Sequence, residues 1–434
     1  MFTRILSLLS LLASSAFTIY AFELPVQIEC RSRQAAICQQ ADPDLLRKIP
    51  DQFPILQQVL ANPEHYKVQI QVSQIVRDEA LQPHLISYRL FVDDKQYFYP
   101  ASTVKLPVAL LTLEWLQQQQ QVTLDSTFHT YASRDSQQMV TEDAMAEGKR
   151  PTLAHYIWQV MMVSDNPGFN RMYELLGQDY INQQLRDKGL SSATINHRLS
   201  LPMSAEENRH YNPLAFFNSD HEVMLQLPAR SSSTVYLNPL QPQLGSAYYQ
   251  QGALIKQPMD FSDKNRFSIQ DLSGVLERLI FPELFPPQQQ FQLAPEMRDW
   301  LLAAMLLYPS ESKQPDYAAH GIADNRYKYL KFGGQPTELP RHQRWLNKIG
   351  SAYGFLTDAG YFIDLEQQLE FFVTATIYVN ANETLNDDTY EYQQIGLPFH
   401  RELGEYLYQQ LSATPVQPKP DLSRWQQLLD QFVQ

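Results

Sequence analysis

YFYPASTVKLPVALLTLEWL, residues 97–116, places a serine and a lysine at the start of a long apolar run. From Val104 onward the apolar residues fall on nearly every side of a helix, and a helix of this kind is buried. Ser102 and Lys105 are three positions apart, so they share one face at the N-terminus of that helix. Because burying a lysine costs desolvation energy, its position beside a serine indicates that the amine has a use.

The composition limits the classes of protein to which the chain can belong. It has 434 residues, of which 44% are hydrophobic and 12% aromatic, enough for one large or two ordinary domains. The formal net charge is −13 at pH 7. An acidic chain of this kind has no electrostatic basis for binding DNA or RNA, so no nucleic-acid partner is expected.

The first residues have the pattern of a secretory signal peptide. MFTR carries one positive charge, ILSLLSLLASSAF is short and apolar, and small residues offer cleavage after Ala16 or Ala21. The apolar stretch is short for a membrane span, and no later stretch is long and apolar enough to be one. The pattern predicts a signal peptide over residues 1–21 and an exported protein, periplasmic or secreted, with no membrane span after cleavage. The alternative is an uncleaved anchor.

The chain has two cysteines, Cys30 and Cys38, just after the predicted cleavage site. In an oxidising compartment such a pair can form a local disulfide. A metal site would need more ligands, and no histidine lies near them. We therefore expect a disulfide that holds an N-terminal extension, and neither a metal nor another cofactor.

Alternating polar and apolar residues predict strands near both ends of the chain. Residues 66–78 and 84–94 alternate in this way. Three further strands are expected after residue 341, followed by a helix over 397–411. The strands from the two ends would form one sheet.

Helices separated by polar breaks are expected in the middle of the chain. TLAHYIWQVMMVSDN indicates a helix that ends at Ser164, and residues 40–62 indicate an earlier amphipathic helix. The stretches 204–262 and 309–340 are rich in proline and polar residues. We interpret both as long surface loops or insertions.

Two short motifs follow the Ser102–Lys105 pair. Ser164, Asp165 and Asn166 form S-D-N, although these residues are also typical of a helix end followed by a turn.

The last motif is lysine–x–glycine on a predicted strand, formed by Lys348 and Gly350. A rival at residues 331–333 lies in a loop-like Gly-Gly-Gln-Pro context. A second S-x-x-K, residues 310–313, lies in a proline-rich loop with no helix after it, so we set it aside.

The three motifs occur in order in the stretches ASTVKLPVALL, WQVMMVSDNPGFNRMYELLG and WLNKIGSAYGFLTDAGYFID. These stretches resemble the penicillin-recognising serine hydrolases, in particular class A β-lactamase-like proteins. The resemblance covers about residues 50–412 outside the insertions. It implies an α+β fold of the β-lactamase/transpeptidase type. In that fold a five-stranded antiparallel sheet with flanking helices lies beside an all-helical domain, with the site between them.

The resemblance also implies a division of the chain. After the signal peptide, we expect an N-terminal extension with a first helix (22–65), a serine hydrolase domain (66–412) and a C-terminal tail helix (413–434). Within the domain, residues 66–100 and 341–412 would form the sheet lobe and 101–340 the helical lobe.

Ser102 and Lys105 suit the opening of a strained amide. A serine hydroxyl is too weakly acidic to attack unaided. A lysine shielded from water has a lowered pKa, so Lys105 can accept the Ser102 proton.

The remaining roles are implied by the resemblance. The N–H of Ser351 and that of the nucleophile would bind the oxyanion. Ser164 would pass a proton to the leaving nitrogen, Asn166 would hold Lys105 and the substrate amide, and Lys348, beside Gly350, would attract a substrate carboxylate.

The sequence departs from the family pattern in two places. Ile349 stands where the family usually has threonine or serine, and Ser351 is the candidate replacement. The Glu-x-x-Leu-Asn pattern, which supplies the deacylation base in class A enzymes, is absent. Glu206 and Glu207 lie in about the right place, but Asn212 follows at the wrong spacing, and a solvated loop is the alternative.

Three functions follow from these observations. The leading one is an exported serine hydrolase that opens a β-lactam amide through a Ser102 acyl-enzyme, which water then hydrolyses. The second is a peptidoglycan D,D-peptidase or slow-deacylating penicillin-binding protein, and the third is a non-enzymatic wall-binding protein. The expected partner is a β-lactam or a peptidoglycan peptide, and the sequence makes no prediction of oligomeric state.

Overall fold

The computed structural model describes residues 23–433. The predicted signal peptide, residues 1–21, with cleavage positions at Ala16 and Ala21, lies outside the described residues. Within the described part of the chain, no helix has the length and apolar character needed to cross a membrane.

Long strands lie towards both ends of the described chain, and most of the long helices lie between them. The strands are β1 Gln27–Cys30, β2 Gln69–Arg77, β3 Pro83–Leu90, β4 Thr127–Thr130, β5 His210–Tyr211, β6 Leu214–Phe217, β7 Val223–Leu227, β8 Arg230–Ser231, β9 Gln243–Leu244, β10 Ala247–Gln250, β11 Ala253–Ile255, β12 Met259–Asp260, β13 Gln343–Ala352, β14 Phe355–Asp364, β15 Leu369–Tyr378 and β16 Thr384–Leu385. The helices are α1 Ala35–Cys38, α2 Pro54–Leu60, α3 Pro63–Tyr66, α4 Lys105–Gln117, α5 Leu153–Val163, α6 Asn166–Leu176, α7 Gln178–Asp187, α8 Ile269–Ile280, α9 Pro295–Leu306, α10 Leu397–Ala413 and α11 Ser423–Phe432.

Six strands form the main sheet in the order β1–β3–β2–β15–β14–β13, and all neighbours are antiparallel. The α+β class is confirmed, but the sheet has one strand more than the five expected. The additional strand is β1, whose four residues are too few to show a periodic pattern. The expected Cys30–Cys38 disulfide is present, with the Cα atoms 5.5 Å apart, and it joins β1 to α1.

Helices cover both faces of the sheet. α2 and α10 pack on the face that carries Val72 and Phe371, and α8 and α9 pack on the face that carries Leu346 and Phe372. Because both faces are covered, β14 and β15 are buried along their whole length. The edge strand β13 is therefore fixed on a rigid support.

Two predicted segments differ from the structure. The helix expected over 40–62 is limited to α2, because Pro50 and Pro54 keep the residues before them out of helical conformation. The stretch 204–262, interpreted as a long surface loop or insertion, contains the eight short strands β5 to β12. Stretch 309–340 has only one helical turn, Pro309–Glu311.

The segment 204–262 contacts the sheet lobe through the ring of Phe261, which packs against Tyr353, and through a strand pairing. Its strand β10 pairs in parallel with β16, with Ala247 opposite Thr384 and Tyr248 opposite Leu385. This pairing holds the loop after β15 beside the cleft described below.

Candidate active site

Ser102 lies in a helical turn, Ala101–Val104, and Lys105 is the first residue of α4. Thr103 holds this turn, because its Oγ1 donates to the Pro100 carbonyl oxygen at 2.7 Å. α4 is buried on nearly all sides, so the Lys105 side chain is carried into the interior and has 0% exposure. Ser102 stays half-buried and borders a cleft.

The Lys105 amine contacts Ser102 and the S-D-N motif. Its Nζ lies 2.8 Å from Ser102 Oγ, 2.5 Å from the Ser164 carbonyl oxygen and 2.6 Å from Asn166 Oδ1. Burial lowers the pKa of Lys105 to about 7, and the nearby Asp165 carboxylate partly opposes this shift. At neutral pH a large fraction of Lys105 is therefore uncharged.

The neighbours of a neutral Lys105 fix the direction of its lone pair. A carbonyl oxygen and an amide oxygen can only accept hydrogen bonds, so those of Ser164 and Asn166 take the two N–H groups. The lone pair is left for Ser102, whose hydroxyl can donate. The arrangement can therefore remove a proton from Ser102, which is what a serine nucleophile requires.

The S-D-N motif forms the turn from α5 to α6. Ser164 has a left-handed backbone with φ +57°, which is uncommon for a residue other than glycine. In this conformation its carbonyl oxygen and hydroxyl both lie within 3.3 Å of Lys105 Nζ. Asp165 accepts from the Gly168 N–H at 2.6 Å and caps α6, which places Asn166 at the helix start.

Lys348 reaches the same turn from β13. Its Nζ donates to Ser164 Oγ at 2.7 Å, and the side chain is buried. Burial, followed by the proximity of Lys105, lowers the pKa of Lys348 well below its usual range. Ser164 Oγ thus lies between two lysine amines and can pass a proton.

Gly350 allows β13 to lie against the turn that carries Ser102. A Cβ atom at Gly350 would collide with the Pro100 carbonyl oxygen. The next residue, Ser351, is exposed and borders the cleft beside Ser102. The structure therefore brings together all seven predicted catalytic and substrate-binding residues, which are Ser102, Lys105, Ser164, Asn166, Lys348, Gly350 and Ser351.

Two cavities meet at Ser102. Their volumes are about 550 Å³ and about 450 Å³. Both are bordered by Ser102, Asn166, Ser351 and Tyr392. Ser102 therefore faces two compartments at once, as an amide with groups on both sides of its carbonyl requires.

The larger cavity, which we call the first cavity, has one wall shaped by Ile349. This side chain lies in the wall with Leu356, Leu397 and Tyr329. The hydroxyl that the family usually places there is therefore replaced by apolar surface. Arg326 is the charged residue that lines this cavity.

Neither Glu206 nor Glu207 borders a cavity beside Ser102. Glu206 pairs with Arg209 and with His210. Glu207 pairs with Arg134 at 2.7 Å, and the hydrogen bond from Arg134 holds the pKa of Glu207 at about 2. The geometry gives neither glutamate access to an ester on Ser102, so neither enters the mechanism proposed below.

Ser200 is a site residue that the sequence did not indicate. Its Oγ accepts from Asn166 Nδ2 at 2.8 Å, and it lines the smaller cavity, which we call the second cavity. The buried Arg198 holds its loop, because Arg198 Nε donates to Glu174 at 2.8 Å and the guanidinium also donates to the His210 carbonyl oxygen at 2.8 Å. The sequence signal that could have indicated Ser200 was Arg198, two residues earlier in a polar loop. The burial of Arg198 could not be predicted from the sequence.

The rival motif residues line neither cavity beside Ser102. Lys331 pairs with Glu405 at 2.5 Å, and Ser310 Oγ donates to Asp324 at 2.9 Å. Across residues 23–433, no group of three or more His, Cys, Asp or Glu side chains is arranged to hold a metal ion.

Solved structures similar to the chain include the β-lactamase of Sphaerobacter thermophilus DSM 20745, with 14% identity, 85% of this chain and 99% of that chain covered, and a TM-score of 0.46. The β-lactamase of Streptomyces albus G has 12% identity and a TM-score of 0.45, and the match covers 82% of this chain and 99% of that chain. A PBP-A mutant, solved as an acyl-enzyme complex with penicillin G, has 15% identity and a TM-score of 0.46, and the match covers 83% of this chain and 95% of that chain. No curated protein sequence matches the chain.

A family model describes the greater part of the sequence. It is the model of the β-lactamase enzyme family, and it matches residues 86–396, well over half of the chain. The matched range includes every residue of the three motifs. The chain belongs to the β-lactamase enzyme family.

Proposed function

We propose that the protein is an exported serine hydrolase that opens a β-lactam, or a related peptide amide, through an acyl-enzyme on Ser102. One observation carries the proposal. A fully buried lysine amine, Lys105 Nζ, lies 2.8 Å from the hydroxyl of Ser102, which itself borders two cavities. A buried amine in that position has a chemical use only if it exchanges a proton with the serine.

Acylation then proceeds as follows. Ser102 Oγ attacks the amide carbonyl carbon while its proton moves to the neutral Lys105 Nζ. The oxyanion accepts hydrogen bonds from the backbone N–H groups of Ser102 and Ser351. The C–N bond breaks, and the leaving nitrogen takes a proton from Ser164 Oγ. Ser164 recovers a proton from Lys105, so charges and protons balance and Ser102 carries an ester.

The N-terminal features support export. The apolar stretch before Ala21 follows a positive charge, and the chain carries a disulfide between Cys30 and Cys38. Disulfides persist in oxidising compartments and are rare in the cytosol.

A second candidate, a slow-deacylating penicillin-binding protein or D,D-peptidase, is favoured by a specific observation. Among the residues lining the two cavities, all within 23–433, the one carboxylate is Asp388, in the second cavity. The residues around Ser102 support acylation, and no glutamate within residues 23–433 lines either cavity to activate water.

Intact-mass spectrometry after incubation with benzylpenicillin tests the proposal. We expect a covalent adduct in the wild type and none in Ser102→Ala, whereas Ser310→Ala, in the second S-x-x-K motif, should behave as the wild type does. A persistent adduct identifies the slow-deacylating protein, and rapid turnover of the drug identifies a β-lactamase. An adduct that remains in Ser102→Ala, or no reaction in the wild type, contradicts the assignment.

A further inference from the structure

The two cavities beside Ser102 differ in charge. The first cavity is lined by Arg326 and by no carboxylate. The second cavity is lined by Asp388 and by no lysine or arginine, and four tyrosines contribute to its walls, namely Tyr99, Tyr353, Tyr390 and Tyr392. A substrate that fills both cavities therefore meets a positive group at one end and a negative group at the other.

The second cavity continues outward into a wider cleft. This outer cleft has a volume of about 800 Å³ and lies between the β10–β11 hairpin and the loop that carries β16. Asn386 and Asp388 line both the second cavity and the outer cleft. Its other lining residues include Tyr249 and Leu254 from the hairpin and a second acid, Asp387, with no lysine or arginine.

The hairpin holds this wall in place. The Ser246 N–H donates to the Glu383 carbonyl oxygen at 2.8 Å, and Asn386 Nδ2 donates to the Tyr249 carbonyl oxygen at 3.1 Å. Together with the pairing of β10 and β16, these bonds fix the loop relative to Ser102. The wall is thus a built part of the cleft.

Asp388 has a charge that the protein itself does not neutralise. Its side chain is exposed, and within residues 23–433 it forms no ion pair and no side-chain hydrogen bond. Its neighbour Asp387, in contrast, accepts from Asn382 Nδ2 at 2.7 Å. The Asp388 carboxylate is therefore available to a ligand at the junction of the second cavity and the outer cleft.

We propose that the second cavity binds an acyl group that carries an ammonium, and that Asp388 selects it. The orientation rests on the proposed function. Ser164, which would protonate the leaving nitrogen, borders the first cavity and not the second, so the leaving group enters the first cavity and the acyl group the second. The substrate class is a peptide-like amide with a cationic amine on its acyl side, long enough to reach the outer cleft.

Ampicillin and benzylpenicillin provide a matched test, since they differ by one amino group on the acyl side chain. The measurement is the second-order rate of Ser102 acylation, compared as the ampicillin-to-benzylpenicillin ratio. We expect this ratio to fall about two- to fivefold in Asp388→Asn, the range that one exposed ion pair contributes. High salt should reduce the wild-type ratio in the same direction.

Asp388→Asn is the appropriate variant, because asparagine tolerates the left-handed backbone of this residue, φ +58°. Glu383→Gln is the matched control. It removes one negative charge from the same loop, but Glu383 lines neither the second cavity nor the outer cleft, so the ratio should stay at the wild-type value.

A ratio that is unchanged in Asp388→Asn overturns the inference and leaves the proposed function intact if both drugs acylate Ser102. The inference can also be tested without acylation. In Ser102→Ala, calorimetry should show that Asp388→Asn weakens the binding of ampicillin relative to benzylpenicillin. Equal effects on the two compounds in that background contradict the inference whether or not the enzyme forms an ester.

Discussion

The two sides of Ser102 differ in how completely they are equipped for chemistry. On one side, Lys105, Ser164 and Lys348 form a buried chain of hydrogen bonds whose members are 2.7 to 3.3 Å apart. On the other side, Ser200 presents a neutral hydroxyl on an exposed loop, bonded to Asn166. Under the proposed function, this difference would mean that making the ester and hydrolysing it depend on separate parts of the molecule.

Removal of the Lys105 amine should have the largest effect on the rate of Ser102 acylation. In Lys105→Ala, the acylation rate by benzylpenicillin should fall about 10³-fold, within the range that a positioned base contributes. Intact-mass time courses measure the rate. Lys105→Met, which keeps the buried volume, should be as slow, which separates loss of the base from loss of packing.

Lys313→Ala, in the second S-x-x-K motif, is the control for the Lys105 variants. Lys313 is exposed and lies away from the cleft, so its loss should leave acylation unchanged. If Lys105→Met acylates at the wild-type rate, a different base serves Ser102 and the chain of hydrogen bonds is structural.

A carboxylate at position 200 should change the lifetime of the Ser102 adduct, on the side of the cleft opposite Lys105. Ser200 lines the second cavity and bonds to Asn166, which also contacts Lys105. In Ser200→Glu, a carboxylate beside the Ser102 ester can activate water, so the adduct lifetime should shorten about tenfold to a hundredfold. The lifetime is measured by the decay of the adduct mass after excess drug is removed.

Ser200→Gln separates charge from size, because glutamine has nearly the same shape and cannot act as a base. Its adduct should be as long-lived as that of the wild type. Equal lifetimes in the Glu and Gln variants would mean that water does not reach the ester from this side.

The motif residues could be predicted from the sequence because each motif is local. Ser102 and Lys105 are linked by one helical turn, and Ser164 to Asn166 by one turn between helices, so spacing alone places their side chains. Their assembly with Lys348 was expected only through the resemblance to a family, because the 184 residues from Ser164 to Lys348 carry no local signal.

The residues of the second cavity could not be predicted for the same physical reason. Ser200 and Asp388 border one cavity although they are far apart in the chain, and only tertiary packing brings them together. The short strands β5 to β12 have two to five residues each, too few for a period to appear. Glu206 and Glu207 were chosen by their position in the sequence after S-D-N, and they form ion pairs with Arg209 and Arg134 instead of bordering the cleft.

The pH dependence of acylation should report the state of Lys105. Burial places its pKa at about 7, and the proton acceptor must be the neutral amine. Acylation should therefore be fastest above pH 7 and fall as pH decreases, by about tenfold for each unit well below 7. Stopped-flow rates from pH 5 to pH 8 measure this profile. A flat profile across that range would mean that the step does not need the neutral lysine.

Removal of the disulfide should have the smallest effect on the acylation rate. Cys30 lies on the added edge strand β1, which pairs with β3 on the opposite edge of the sheet from β13. The bond closes a short loop of sequence separation 8. The double variant Cys30→Ser/Cys38→Ser should therefore lose about 2 kcal/mol of unfolding free energy. Its acylation rate should stay within about twofold of the wild type, because Ser102, Lys105 and Lys348 keep all their contacts. Chemical denaturation and the same mass-spectrometric time course measure the two quantities.

A large loss of acylation in a variant that remains folded would show that the edge of the sheet is coupled to the nucleophile. The separation of the molecule into an acylating core and a peripheral support would then be wrong.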